Sequence, residues 1–252
     1  MSQLQSLAPQ DVLYPETDGK PMADNTKQFR WIMVIYYNLE WLFADDPNVF
    51  VAGDLLWYPV EGNNKIRQAP DVMVIFGRPK GDRGSYMQWR EENIAPQVVF
   101  EILSPGNTLT EMNKKQVLYD RYGVEEYYLY DPDKNDLSGW IRISDRLDVI
   151  ESMENWTSPR LGICFNRSEN ELQLTRPDGK LFTNYVDISR RLELAEQQID
   201  QERERADQEK ERANQERERA DQERERANQE RERAERLAER LRAAGIDPDQ
   251  ID

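Results

Sequence analysis

QVVFEILSP, residues 97 to 105, carries one glutamate inside an otherwise apolar run of strand length. Val98 to Leu103 is continuous and rich in β-branched and aromatic residues, which predicts a strand covered on both faces. An ionised Glu101 buried there without partners would cost several kcal/mol, so it requires a cation, a proton or a place at the edge of a cleft. A structural ion pair is the plainest way to meet that need. The neighbouring segments supply a second way.

Upstream, PDVMVIF (residues 70 to 76) opens a second apolar run with another carboxylate, Asp71. Pro70 biases Ala69 away from helix and favours an extended entry into Val72 to Phe76. Taken alone, an acid at the start of a strand reads as a turn or capping residue. Downstream of Glu101, SPGNTLTEM is dense in turn-formers and leads into a helical run from about Glu111 to Tyr122, closed by Gly123 in a C-cap position. Lys115, Leu118, Tyr119 and Tyr122 fall at i, i+3, i+4 and i+7, so the lysine shares the stripe expected to face the sheet. It either lays its stem over apolar surface or brings its ammonium to the two carboxylates. EYYLYDP, residues 126 to 132, is a further strand. WIMVIYYNLEWLF, residues 31 to 43, is a helix with apolar residues nearly all round, which predicts heavy packing, and Asp45, Asp46 and Pro47 stop it.

The chain resembles the Uma-two restriction endonuclease family of the PD-(D/E)XK nuclease-like superfamily. The likeness spans about Tyr14 to Asp187 and is carried by PDVMV (70 to 74), EILSPGN (101 to 107) and KQVLYDRYGVEEYYLYDP (115 to 132). It implies an α/β fold with a mixed β-sheet flanked by helices, and hydrolysis of nucleic acid phosphodiesters, DNA above all, with Mg²⁺ as cofactor and Mn²⁺ as a substitute. By the resemblance, Asp71 matches the acid of the PD element and Glu101 the acid of the third-strand element. The lysine usually found two positions after that acid is replaced by Leu103, and Lys115 on the following helix is the matching position. Some relatives add a glutamate from the first helix, where Glu40 is the candidate.

Two carboxylates, the Ile102 carbonyl and a substrate phosphate are the hard oxygen donors that Mg²⁺ prefers. Such an ion lowers the pKa of a bound water and offsets charge on the phosphate, while Lys115 orients the water or stabilises the transition state. The chain contains no histidine, which excludes imidazole-based nucleases, imidazole zinc hydrolases and Ser-His-Asp catalysis. A single cysteine, Cys164 in LGICF, excludes thiolate metal clusters and an intrachain disulfide, and reads as a small buried hydrophobe.

Charge pulls against nucleic acid binding. The chain has 34 basic and 49 acidic residues, net −15. Residues 1 to 186 alone hold 19 basic and 28 acidic ones, whereas DNA-binding proteins usually present a basic face. Lys65 with Arg67, and the stretch Arg78 to Arg83, are the local candidates for one. The alternative function is therefore a catalytically inactive nuclease-like fold used for binding or oligomerisation.

Residues 187 to 252 form a separate segment. From Gln201 to Glu235 the heptad QERERAD recurs five times with small changes. Ile199, Ala206 and its sevenfold successors to Leu241 form one coiled-coil column, and its companion holds Ala195, a run of glutamates and Leu237. The segment reads as a long charged helix, either a solvated rod supported by Glu/Arg pairs at i,i+3 and i,i+4 or a weak coiled coil joining chains through its ends near Leu192 and Leu241. Gly245 and Pro248 stop it. Between the two segments, ELQLT and KLFTN around the turn Arg176 to Gly179 predict a hairpin, with Trp140 and Trp156 packing there. No signal peptide or membrane-length apolar run is visible, so a cytoplasmic location is expected.

Overall fold

The structure is a computed structural model that describes residues 12–19 and 21–245. The elements run α1 (Thr26–Leu42), β1 (Val49–Gly53), β2 (Trp57–Tyr58), β3 (Val72–Phe76), β4 (Tyr86–Met87), β5 (Val98–Ile102), α2 (Leu109–Arg121), β6 (Glu126–Asp131), β7 (Asp136–Ile143), β8 (Arg146–Val149), β9 (Trp156–Thr157), β10 (Cys164–Arg167), β11 (Leu172–Thr175) and α3 (Tyr185–Ala243). The chain divides between Tyr185 and Val186 into two units.

The first unit is built on a six-stranded mixed sheet ordered β1-β3-β5-β6-β7-β8. β5 pairs antiparallel with β3 and parallel with β6, and α2 makes the crossover that a parallel pair requires. Side chains of β5 alternate between two cores. Val98, Phe100 and Ile102 pack with Ile32, Ile35 and Leu39 of α1 and with Phe165, Leu172 and Leu174 of the small sheet β11-β10-β9. Val99 packs on the opposite face with Tyr119 of α2, Trp57 of β2 and Tyr86 of β4. The sheet is thus covered on both sides, as the uninterrupted apolar runs of β3 and β5 require.

Local signals explain the helix ends. Asn25 caps α1, its side-chain oxygen accepting from the Lys27 and Gln28 amides at 3.0 and 2.9 Å. Thr108 caps α2 by accepting from the Glu111 amide, and Glu111 brings negative charge to the first turn. Gly123, at φ +95°, takes the left-handed conformation that ends the helix. The Arg142 guanidinium donates to the Asp120 carbonyl in the last turn and to the Val124 carbonyl just beyond it.

Three readings are corrected. α1 is buried on one side only, and Tyr37 and Trp41 are each 59% exposed, because no second layer covers its outer face among the described residues. The expected turn at Arg176 to Gly179 does bring KLFTN back antiparallel onto ELQLT, through a bridge from Leu181 to Thr175 and the Phe182 amide donating to the Leu174 carbonyl at 2.7 Å, while β10 pairs along the other edge of ELQLT. Trp140 lies in β7 of the main sheet, stacked on Tyr127. The hairpin of β7 and β8 went unread: its strands are half-exposed, so neither gives an apolar run, and the turn is made by Ser144 at φ +60°. Cys164 is half-buried.

α3, of 59 residues, has no buried residue. Ion pairs such as Arg231 with Glu235 and Glu232 with Arg236, each at i,i+4, run along its surface. Among the described residues no helix is long and apolar enough to cross a membrane.

Candidate active site

The site forms where β3 begins and β5 ends. Their antiparallel register pairs Val72 with Phe100, so one residue further along Asp71 lies across from Glu101. Asp71 Oδ2 accepts the Ile102 amide at 2.6 Å, a bond between a carboxylate and the backbone of the neighbouring strand. Its other oxygen has no hydrogen-bond partner among the described residues. Glu101 sits on the α2 face of β5, and its side chain is only 2% exposed.

α2 delivers two side chains one turn apart. Lys115 Nζ donates to Glu101 Oε2 at 2.7 Å, and the Tyr119 hydroxyl donates to Glu101 Oε1. The helical stripe that put Lys115 beside Tyr119 in sequence therefore faces the acid. α1 enters from the other side of the sheet: Gln28 Nε2 donates to the Ile102 carbonyl at 2.8 Å, and Gln28 Oε1 accepts the Asp24 amide. The loop after β5 is fastened in turn, with the Ser104 hydroxyl donating to Asp24 and the Ser104 amide to Asn107 Oδ1.

The electrostatics are those of a site short of positive charge. Burial, and then the Glu101 carboxylate, push Asp71 well above the usual carboxylate range against the pull of Lys115 and the Ile102 amide. Burial alone would depress Lys115, but the Glu101 charge and hydrogen bond outweigh it and its pKa is raised, so the ammonium stays protonated at neutral pH. Asp54, at φ +49° after β1, donates its amide to the Pro70 and Asp71 carbonyls, and burial followed by Asp18 raises its carboxyl. Tyr119 is held protonated by burial and Glu101, which keeps it a donor. Tyr127, whose ring packs edge-on against Tyr119, has a buried hydroxyl with no hydrogen-bond partner among the described residues.

Asp71, Glu101 and Lys115, singled out in the sequence, are thus brought together, and the Ile102 carbonyl lies beside them. Glu40 is half-buried near Tyr36, and the residue by which α1 reaches the site is Gln28. Gln28 stands three residues after the N-cap Asn25, where a glutamine signals a helix start and gives no sign of a reach to Ile102. Asp54 follows the strand VFVAG and could have been flagged as a third acid at a strand end. Arg78 and Arg83 do not form a bare basic face: both are tied to Glu91, Arg78 also to Glu92, and Arg83 lies 4.0 Å over the Phe50 ring.

Among the described residues no group of three or more histidine, cysteine, aspartate or glutamate side chains is arranged to hold a metal. The available donors are two carboxylates and a carbonyl. They fit a hard divalent cation: Asp71 keeps an uncommitted oxygen, the Ile102 carbonyl keeps a lone pair beyond its bond to Gln28, and one ammonium opposes two buried acids.

The fold is α/β, a six-stranded mixed sheet covered on both faces, with two carboxylates and a lysine meeting where β3 begins and β5 ends. The chain belongs to the Uma2 family, described as "putative restriction endonuclease", whose model matches residues 20–161. Among solved structures it is similar to a protein from Anabaena variabilis described as "a putative nuclease belonging to DUF820", at 18% identity and a TM-score of 0.41, over 57% of this chain and 79% of that one. No curated protein matches the chain.

Proposed function

We propose that this chain is a divalent-metal-dependent endonuclease that hydrolyses phosphodiester bonds of DNA in the cytoplasm. The observation that carries the reading is the meeting of Asp71, Glu101 and Lys115 at one edge of a central strand, with more buried negative charge than the lysine can balance. Asp71, Glu101 and the Ile102 carbonyl would hold Mg²⁺, with Mn²⁺ able to replace it. Bound there, the ion would acidify a water and neutralise phosphate charge.

The chain's own groups have separable tasks. Asp71 is fixed by the Ile102 amide through one oxygen, which leaves the second for the metal. Tyr119 pins Glu101 from within the core and leaves its outer oxygen to Lys115. Lys115, protonated, is no general base; its ammonium orients the attacking water or stabilises negative charge on the phosphate as the bond to the leaving oxygen breaks. Gln28 sets the direction of the Ile102 carbonyl. With Arg78 and Arg83 spent on Glu91, few phosphate contacts are available, so binding is weak and its dependence on salt shallow. The exposed apolar residues of α3 make a second copy of the chain its other partner.

Incubating purified protein with plasmid and single-stranded DNA in Mg²⁺, Mn²⁺ or chelator tests this. Cleavage abolished both by chelator and by Asp71→Ala is expected. DNA retardation without cutting at any metal concentration would instead favour the inactive binding reading.

A further inference from the structure

We propose that α3 pairs with the α3 of a second copy in an antiparallel coiled coil whose two-fold axis passes between Asn214 and Gln215. The observations that carry this lie wholly in the helix and do not depend on the nuclease reading.

Every seventh residue from Tyr185 to Leu241 is apolar: Tyr185, Leu192, Ile199, then alanine at each step from Ala206 to Ala234, then Leu241. On a lone straight helix a strict seven-residue column drifts about 20° per heptad, so over eight heptads it would wind about 160° round the rod. A left-handed supercoil removes that drift and keeps the column facing a partner. Among the described residues its first three members are exposed, Tyr185 at 79% and Ile199 at 49%. Leu192 is 59% exposed and Leu237 60%.

The second column, three residues on, fixes the orientation. It is apolar at both ends, with Ile188 and Ala195 first and Leu237 and Ala244 last, and it carries glutamate at every step from Glu202 to Glu230. A parallel pair in register would set glutamate against glutamate in all five of those layers. Reversing one helix sets the first column against the second. About the axis proposed, Leu192 meets the partner's Leu237 and Ile188 meets the partner's Leu241. Ala213 meets the partner's Glu216, and no layer holds two glutamates. The small alanines let the backbones approach, and basic residues one and three positions after each seam glutamate, such as Arg203 and Arg205 after Glu202 or Lys210 and Arg212 after Glu209, neutralise it. The apolar ends thus close on each other while the charged middle tolerates its partner.

Spin labels read the arrangement directly. In full-length protein with Cys164→Ser, labels at Gln197→Cys and Glu218→Cys, both on the outward column, are measured in separate samples by pulsed dipolar spectroscopy. With a rise of about 1.5 Å per residue, the antiparallel pair gives about 55 Å for the first and about 25 Å for the second. Equal short distances at both sites would mean parallel pairing, and no dipolar modulation would mean a lone rod or a helix covered by its own chain; either overturns the proposal. Leu192→Glu and Leu237→Glu occupy the same layer, so each is expected to halve the mass seen by light scattering, and an unchanged mass in both would also overturn it.

Discussion

Replacing Lys115 with methionine removes the cation bonded to Glu101 while keeping an unbranched stem. The bond is 2.7 Å long, the lysine side chain is 13% exposed and the glutamate 2%, so water cannot take the ammonium's place. Removing one member of a buried pair costs about 3–5 kcal/mol because the other charge is stranded. At about 2–4 °C per kcal/mol for a domain of this size, the melting temperature should fall by roughly 6–20 °C. The assay is thermal unfolding in chelator, with urea unfolding to check that the surface exposed is unchanged. Glu101→Gln in the same background removes the stranded charge and keeps an acceptor for Tyr119, so a double-mutant cycle should show a coupling of about 2 kcal/mol or more. Because the folded protein holds the Lys115 proton more tightly than the unfolded chain, the pair's contribution is fully present below the ordinary lysine pKa. It is lost only as pH rises through the raised value. A loss under about 1 kcal/mol, the range of exposed pairs, or additive single effects, would refute the reasoning.

Asp71→Asn should abolish cleavage yet stabilise the metal-free protein by about 1–2 kcal/mol, since it removes a charge that burial and Glu101 disfavour while an amide oxygen can still accept from Ile102. The sign follows from the raised pKa: the wild type loses stability as pH climbs from the ordinary carboxylate range through the folded value, and melting curves in chelator should show the variant without that loss. Gln28→Ala strands the Ile102 carbonyl and should cost about 1–3 kcal/mol in urea unfolding. It should also weaken metal affinity or activity about 10–100-fold in titrations of the cleavage rate with Mg²⁺. Glu91 is held below its usual pKa: burial opposes this, but Arg83 and then Arg78 outweigh it. Its contribution is therefore present above the unfolded carboxylate pKa and lost as pH falls through the folded one. Glu91→Gln should cost about 1–2 kcal/mol at pH 7 and close to nothing at low pH, measured by urea unfolding at both.

The strands that carry the site were legible because they are buried on both faces, which forces runs such as VVFEI and VMVIF that no other element explains. Lys115 was legible from helical periodicity, and its meeting with Glu101 followed from α2 crossing back over the strand that precedes it. What escaped was set by tertiary contact. Gln28 acts through a carbonyl 74 positions away. Glu126 looks like one more strand residue, yet it is buried and accepts from Ser158, Tyr128 and the Arg160 amide. The arginines of GRPKGDRG were candidates for a basic patch by composition, and only the fold shows them folded back on Glu91. β7 and β8 escaped because a half-exposed strand dilutes the apolar signal.

The most direct test of the central claim is an anomalous difference map at the manganese edge from crystals of the full chain grown with Mn²⁺. The expected result is a peak bridging the Asp71 and Glu101 carboxylates and the Ile102 carbonyl, absent in Asp71→Asn. Crystals saturated with Mn²⁺ that show no density there, with Lys115 still bonded to Glu101 and Asp71 bare, would contradict it.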